Sequence, residues 1–208
     1  MAFSSVAVRR SAAVLAVTAA ATAACGPGPA VDRGASPAAP ETTATTPLLA
    51  NPTNNLHLAN AADYFVNSGN PSGYYFESPS GRWHCGIVPH SQAGCQSTSG
   101  ATIGIEGEPD AVTDTDGTDS APNAIVVGKT GEAHFAALAD GQFSPDSDSP
   151  EVLSFNLVLA AAGFRCNVQE SAGVSCVSES TAKGFTFSRD GYELRYTDVP
   201  DNAPLPDS

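Results

Sequence analysis

The sequence predicts a small, mostly β domain: an antiparallel β-sandwich or barrel with two disulfide-bridged strand pairs, preceded by a signal peptide and a disordered tether. Three observations carry the prediction. Short apolar runs of strand length alternate with turn signals, four cysteines fall into two pairs of identical spacing, and the first quarter of the 208 residues lacks a core-forming pattern. They place a signal peptide at 1–24, a lipidated N-terminus and Pro/Ala/Thr-rich tether at 25–55, the β domain at 56–199 and a flexible tail at 200–208.

The N-terminus has the layout of a secretory signal: MAFSSVAVRR carries Arg9 and Arg10 as its only charges, and the apolar stretch SAAVLAVTAAATAA follows. As a helix those 14 residues span about 21 Å, too little for a bilayer core of about 30 Å. VRRSAAV lacks the usual flanks of a twin-arginine signal, so general secretion is the expected route. Thr22-Ala23-Ala24-Cys25 resembles the lipobox of bacterial lipoproteins, with Thr22 where an aliphatic residue is usual. Two outcomes stay open for Cys25. It is the lipid-attachment residue, or ordinary cleavage nearby leaves it as an odd thiol. Lipidation is favoured because a free thiol in an oxidising compartment invites mispairing, and two acyl chains are about what stable anchoring takes.

Residues 26–55 read GPGPAVDRGASPAAPETTATTPLLANPTNN, too poor in apolar periodicity to offset the entropy of ordering. Such a tether reaches roughly 90 Å when extended and roughly 30 Å as a coil. Removal of residues 1–24 leaves seven basic against 22 acidic residues, a net charge of −15. Nucleic acid is therefore excluded as an expected partner, and no polybasic patch is present to hold anionic lipid. The membrane contact would have to be covalent.

Within the domain, Ala59 to Val66 is ambiguous and reads as a short helix. GYYF follows, and SPSG is a type I turn with Pro79 at its second position and Gly81 at its fourth. WHCGIV, AGCQS, ATIGI, NAIVVG, EAHFAAL, EVLSFNLVL, GFRCNV, GVSCVS, GFTFS and YELRY then read as strands. RDG forms a hairpin loop with Gly191 in the left-handed bulge position. A helix over 152–162 is the main competing assignment.

The cysteines repeat a pattern. Trp83-His84-Cys85-Gly86-Ile87 aligns with Phe164-Arg165-Cys166-Asn167-Val168, and in each unit a second cysteine, Cys95 or Cys176, stands ten positions after the first. Of three possible connectivities, pairing Cys85 with Cys95 and Cys166 with Cys176 explains the recurrence. Zinc is the poorer alternative, because ribbon ligands stand about two residues apart and exported thiols tend to be oxidised. No Cys-x-x-Cys redox pair is present.

FESPSGRWHCGI with AGCQ, then VLSFNLVLAAAGFRCNV, GVSCVS and GFTFSRDGYEL, together resemble a family of uncharacterised secreted proteins and lipoproteins of mycobacteria and their relatives. The likeness covers roughly residues 74–194. The chain departs from it at Leu153-Ser154-Phe155-Asn156, where the family often shows Leu-x-Tyr-Gly, and in a longer acidic insertion before Ala124. The resemblance implies an exported, disulfide-bonded domain and carries over no catalytic residues.

The remaining candidates are weighed residue by residue. EGEPDAVTDTDGTDS would need an acidic residue at Val112 to make an Asp-x-Asp-x-Asp-Gly calcium loop, so a solvated acidic loop is expected and no metal is assigned. SPDSDSPE receives the same reading. His57, His84, His90 and His134 are scattered, without a Gly-x-Ser-x-Gly or His-Glu-x-x-His around them. Arg82, Trp83, Tyr74 and Tyr75 offer aromatic and basic surface for carbohydrate or protein contact, against the plainer reading of Trp83 as core beside a disulfide.

The expected function is thus a membrane-anchored envelope lipoprotein acting as a binding or interaction module, with no cofactor. Its partners are the membrane through its lipid and an envelope protein or carbohydrate. An exported hydrolase with a spatially assembled site, or a secreted protein without lipid, is the alternative.

Overall fold

A computed structural model describes residues 55–67, 71–114, 116–144 and 150–206, all within the compact unit Pro47–Ser208. The signal, Cys25 and nearly all of the tether lie outside the described residues, as do the middle of SPDSDSPE and the last two residues. Two 3-10 turns, Asn55–His57 and Ala61–Tyr64, lead into the strands β1 (Phe65–Val66), β2 (Gly73–Glu77), β3 (Trp83–Val88) and β4 (Gln92–Ser97). The short pair β5 (Val112–Thr113) and β6 (Asp119–Ser120) precedes β7 (Ala124–Gly128) and β8 (His134–Ala136). The chain continues through β9 (Val158–Ala161), β10 (Phe164–Gln169), β11 (Gly173–Ser178), β12 (Gly184–Ser188) and β13 (Gly191–Glu193).

The strands form an antiparallel β-sandwich. One sheet has the order β1-β2-β3-β4-β7-β8, the other β13-β12-β11-β10-β9, and β5-β6 is a separate ribbon. β4 and β7 lie against β10, β11 and β12, and Trp83 meets Phe187 edge-on across the interior at 4.9 Å. Phe135 and Tyr192, 4.7 Å apart and perpendicular, join the edge strands β8 and β13.

The recurring cysteine spacing marks a larger duplication. β2-β3-β4-β7-β8 and β9-β10-β11-β12-β13 are two meanders of the same strand order. Their central rows match: Phe76, Cys85, Cys95 and Ile125 stand side by side in one, Leu159, Cys166, Cys176 and Phe185 in the other. The main difference is length. Residues 98–123, with the acidic ribbon, join β4 to β7, whereas residues 179–183 suffice between β11 and β12.

Both disulfides form as the spacing predicts. Cys85–Cys95 and Cys166–Cys176 bond across directly opposed positions, with Cα–Cα distances of 4.0 and 4.1 Å that suit the closely spaced class of antiparallel pair. All four cysteines are fully buried in the core with Phe76, Ile87, Leu159, Phe164 and Phe185. The alternation that puts Trp83, Cys85 and Ile87 inward turns His84, Gly86 and Val88 to the opposite face.

The outer faces are covered differently. On the first sheet, Gly86 and Gly94 oppose one another and leave a flat patch that Phe143 fills. A Cβ at Gly94 would lie 2.7 Å from the Ile125 carbonyl oxygen and 2.8 Å from the Phe143 ring. On the second sheet, Asn167, Gln169, Ser175 and Thr186 make a buried polar row beneath residues 195–199. Asn167 Nδ2 donates to the Tyr196 hydroxyl and the Thr197 carbonyl, at 2.9 and 3.0 Å, and Ser175 and Thr186 share a 2.8 Å hydrogen bond. Among the described residues every buried side-chain nitrogen and oxygen has a partner.

Several sequence expectations shift at element ends. The 152–162 region is a strand rather than a helix, but only over Val158–Ala161, because a turn at Asn156, φ 64°, breaks the run before it. ATIGI forms no strand; Ile103 and Ile105 are buried loop residues. YELRY pairs only through Glu193 before the chain leaves the sheet. Ser188 pairs directly with Gly191, whose φ of 149° departs from the left-handed bulge expected there. SPSG closes as expected, with Gly81 N–H donating to the Ser78 carbonyl at 2.8 Å. In the segment expected as a flexible tail, the Pro204 carbonyl accepts a 2.9 Å hydrogen bond from Asn156 Nδ2.

Candidate functional site

One end of the sandwich gathers the β2–β3, β10–β11 and β12–β13 turns around a groove of about 380 Å³. Hydrogen bonds fix the turns while their long side chains stay exposed. The Arg82 carbonyl accepts from the Thr98 N–H and hydroxyl, at 3.0 and 3.1 Å, and the Arg189 carbonyl accepts from Glu106 N–H at 2.9 Å. Ser188 Oγ accepts from Asp190 N–H at 3.2 Å and so closes the β12–β13 turn. Arg82 and Arg189 both line the groove, together with Trp83, Phe155, Glu170 and Asp190.

The charge distribution sets these two arginines, with Lys129 at the other end of the sandwich, apart from the other basic residues. The described residues hold six basic side chains. Arg165 pairs with Glu179 at 2.7 Å, Lys183 with Glu132 at 2.9 Å, and Arg195 with Glu193. Among the described residues Arg82 and Arg189 have no ion pair, although the chain is rich in acid and two carboxylate residues line the same groove. A guanidinium on a fixed turn beside apolar surface can bind an anion with two parallel hydrogen bonds.

The four surface-contact candidates divide. Arg82 and Trp83 share the groove, and both also border an adjoining depression of about 300 Å³. Trp83 is mostly core: 6% exposed, it stacks edge-on with Phe187 and donates from Nε1 to the Ile103 carbonyl at 3.0 Å. Tyr74 is half-buried with its ring 5.2 Å from Phe65. Tyr75 is buried on the outer face of the first sheet, against Gly86. Sequence reasoning missed Arg189, Phe155 and Glu170 as groove residues. The one available signal was Arg189 in a tight turn, like Arg82.

The histidines are dispersed. His57 is buried, with Nδ1 2.8 Å from the Asn156 carbonyl; His84 lies 3.6 Å from Glu77; His90 and His134 are exposed. Among the described residues none hydrogen-bonds a serine or an aspartate side chain. In the acidic loop, Asp116 accepts from Thr118 N–H and Asp119 from the Thr113 hydroxyl, so these carboxylates serve the β5–β6 turn. The Thr118 hydrogen bonds hold the Asp116 carboxyl below its ordinary range. Among the described residues no three His, Cys, Asp or Glu side chains converge as metal ligands, and no helix is long and apolar enough to cross a membrane.

The two disulfides are consistent with an oxidising, extracytoplasmic location. In comparisons with protein-family models, curated proteins and solved structures, nothing matches the chain.

Proposed function

We propose that this chain is an exported envelope lipoprotein, fastened to the outer side of the cell membrane through Cys25, whose β-sandwich acts as a binding module. The supporting observation is the division of cysteines: four are oxidised in pairs inside the core, and the fifth stands alone where an apolar leader ends. Kinship with the secreted mycobacterial-type proteins and lipoproteins is part of the same proposal. Binding is assigned to the groove at the end of the sandwich, because fixed turns there present Arg82 and Arg189, without an ion pair among the described residues, beside Trp83 and Phe155. The tether would let the domain reach ligands well away from the bilayer.

Expression of the parent and of Cys25→Ser in an actinobacterial host, followed by detergent phase separation, tests the anchor. The parent enters the detergent phase and labels with radioactive palmitate, and the variant is released unlabelled. Equal partitioning of the two would overturn the reading.

A further inference from the structure

We infer that the groove between the β2–β3 and β12–β13 turns binds an acidic saccharide, a sugar bearing a carboxylate or phosphate group. The inference rests on the reading of the domain as a binding module and adds the chemistry of its ligand.

Three features must be satisfied at once. Arg82 and Arg189 have no ion pair among the described residues of a strongly acidic chain, so the groove carries two cations that no carboxylate within 4 Å offsets there, beside two carboxylates that make its lining neutral overall. Of the six described basic residues only Lys129 is also without an ion pair, and it lies in the β7–β8 turn at the other end of the sandwich. Glu170 and Asp190 line the same groove, and their carboxylates have no hydrogen-bond donor or ion pair among the described residues. Trp83 and Phe155 are the aromatic residues of its lining.

An acidic sugar answers all three. Its carboxylate or phosphate accepts from the guanidiniums, its hydroxyls donate to Glu170 and Asp190, and its C–H face packs against Phe155, with the nearly buried Trp83 beside it. An inorganic anion leaves the two carboxylates without donors, and a polyanion such as nucleic acid is repelled by them and by the chain as a whole. The groove's volume of about 380 Å³ falls inside the range of about 300–1,000 Å³ typical of small-ligand sites. Past Arg82 the adjoining depression is lined by the polar residues Ser97, Thr98, Ser99 and Thr102, which suits a second sugar unit.

Trp83 is the sole tryptophan of the chain and lines the groove, so its fluorescence and its indole N–H resonance report occupancy directly. The full mature chain, kept oxidised, is titrated with a galacturonate trimer, a glucose phosphate, a neutral glucose trimer and a glutamate trimer peptide. The expected result is a saturable shift of the Trp83 signals with at least one acidic sugar, weakened by salt and at least tenfold weaker in Arg82→Gln and in Arg189→Gln. Both arginines are exposed, and an unchanged unfolding midpoint verifies that each variant folds. The uronate and phosphate arms identify which anion is read. The inference is overturned if neither acidic sugar shifts Trp83 at millimolar concentration, if the neutral trimer or the glutamate peptide binds as tightly, or if the variants bind like the parent. Any of these outcomes leaves the lipid anchor and export intact, since those are read by partitioning and palmitate labelling.

Discussion

Replacing Cys166 and Cys176 together by alanine removes a bridge that closes a loop of ten-residue separation inside one hairpin. For that separation the loop-closure entropy restored to the unfolded chain is worth about 2.7 kcal/mol at 25 °C. Both sulfurs are fully buried, and deleting each resembles the loss of a buried methyl, about 1 kcal/mol apiece. The total, about 4–5 kcal/mol, corresponds to a fall in Tm of roughly 10–20 °C for a domain of this size. Urea unfolding followed by Trp83 fluorescence measures it, because Trp83 sits in the interior against Phe187 and is the only tryptophan. Cys85→Ala with Cys95→Ala closes an equal separation and should cost the same within about 1 kcal/mol. A loss below about 1 kcal/mol for either pair would refute the reasoning, since the β-hairpin would then hold its strands together equally well without the bond.

Other expectations follow from backbone and burial. Gly173 has φ +88°, and a Cβ there would lie 2.0 Å from the Phe187 carbonyl oxygen. Gly173→Ala should therefore cost about 2–5 kcal/mol, from left-handed strain plus displacement of β12, read from the urea midpoint. Ala162 and Gly163 both have positive φ in the two-residue turn between β9 and β10. Ala162→Gly should stabilise by about 0.5–1 kcal/mol, the relief of strain outweighing the added unfolded entropy; a destabilised variant would contradict the turn. Burial, and then the Asp198 carboxylate, push the Tyr196 hydroxyl well above its ordinary value of 10.0. Its folded value exceeds the unfolded one, so its contribution is complete below pH 10 and is lost as pH rises beyond it. Tyr196→Phe should flatten this alkaline loss while costing about 1 kcal/mol at neutral pH through the missing Asn167 hydrogen bond.

Much of the fold was legible because its signals are local. The two cysteine hairpins announce themselves by a repeated spacing, and SPSG specifies its own turn. What was hidden depends on contacts between distant segments. Ile103 and Ile105 alternate like strand residues, yet they are buried in a loop, and the Ile103 carbonyl serves the Trp83 indole. Phe143 finds its place only because Gly86 and Gly94 meet across β3 and β4. YELRY resembles a full strand, but after Glu193 it supplies carbonyls and hydroxyls to a polar row that no sequence pattern marks. The groove was the least legible part. Arg82 and Arg189 lie in similar turns more than a hundred residues apart, and only the stacking of the two meanders brings those turns to one end.

In the proposed function sulfur has two separate roles, lipid attachment at Cys25 and cross-strand bridging at the other four cysteines. The intact mass of the protein extracted from membranes and treated with a thiol alkylator, without reduction, tests both roles in a single spectrum. The expected species begins at Cys25, carries acyl chains, lacks the four hydrogens lost on forming two disulfides and takes up no alkyl group. A chain beginning elsewhere without fatty acid, or one alkylated at the paired cysteines, would contradict it.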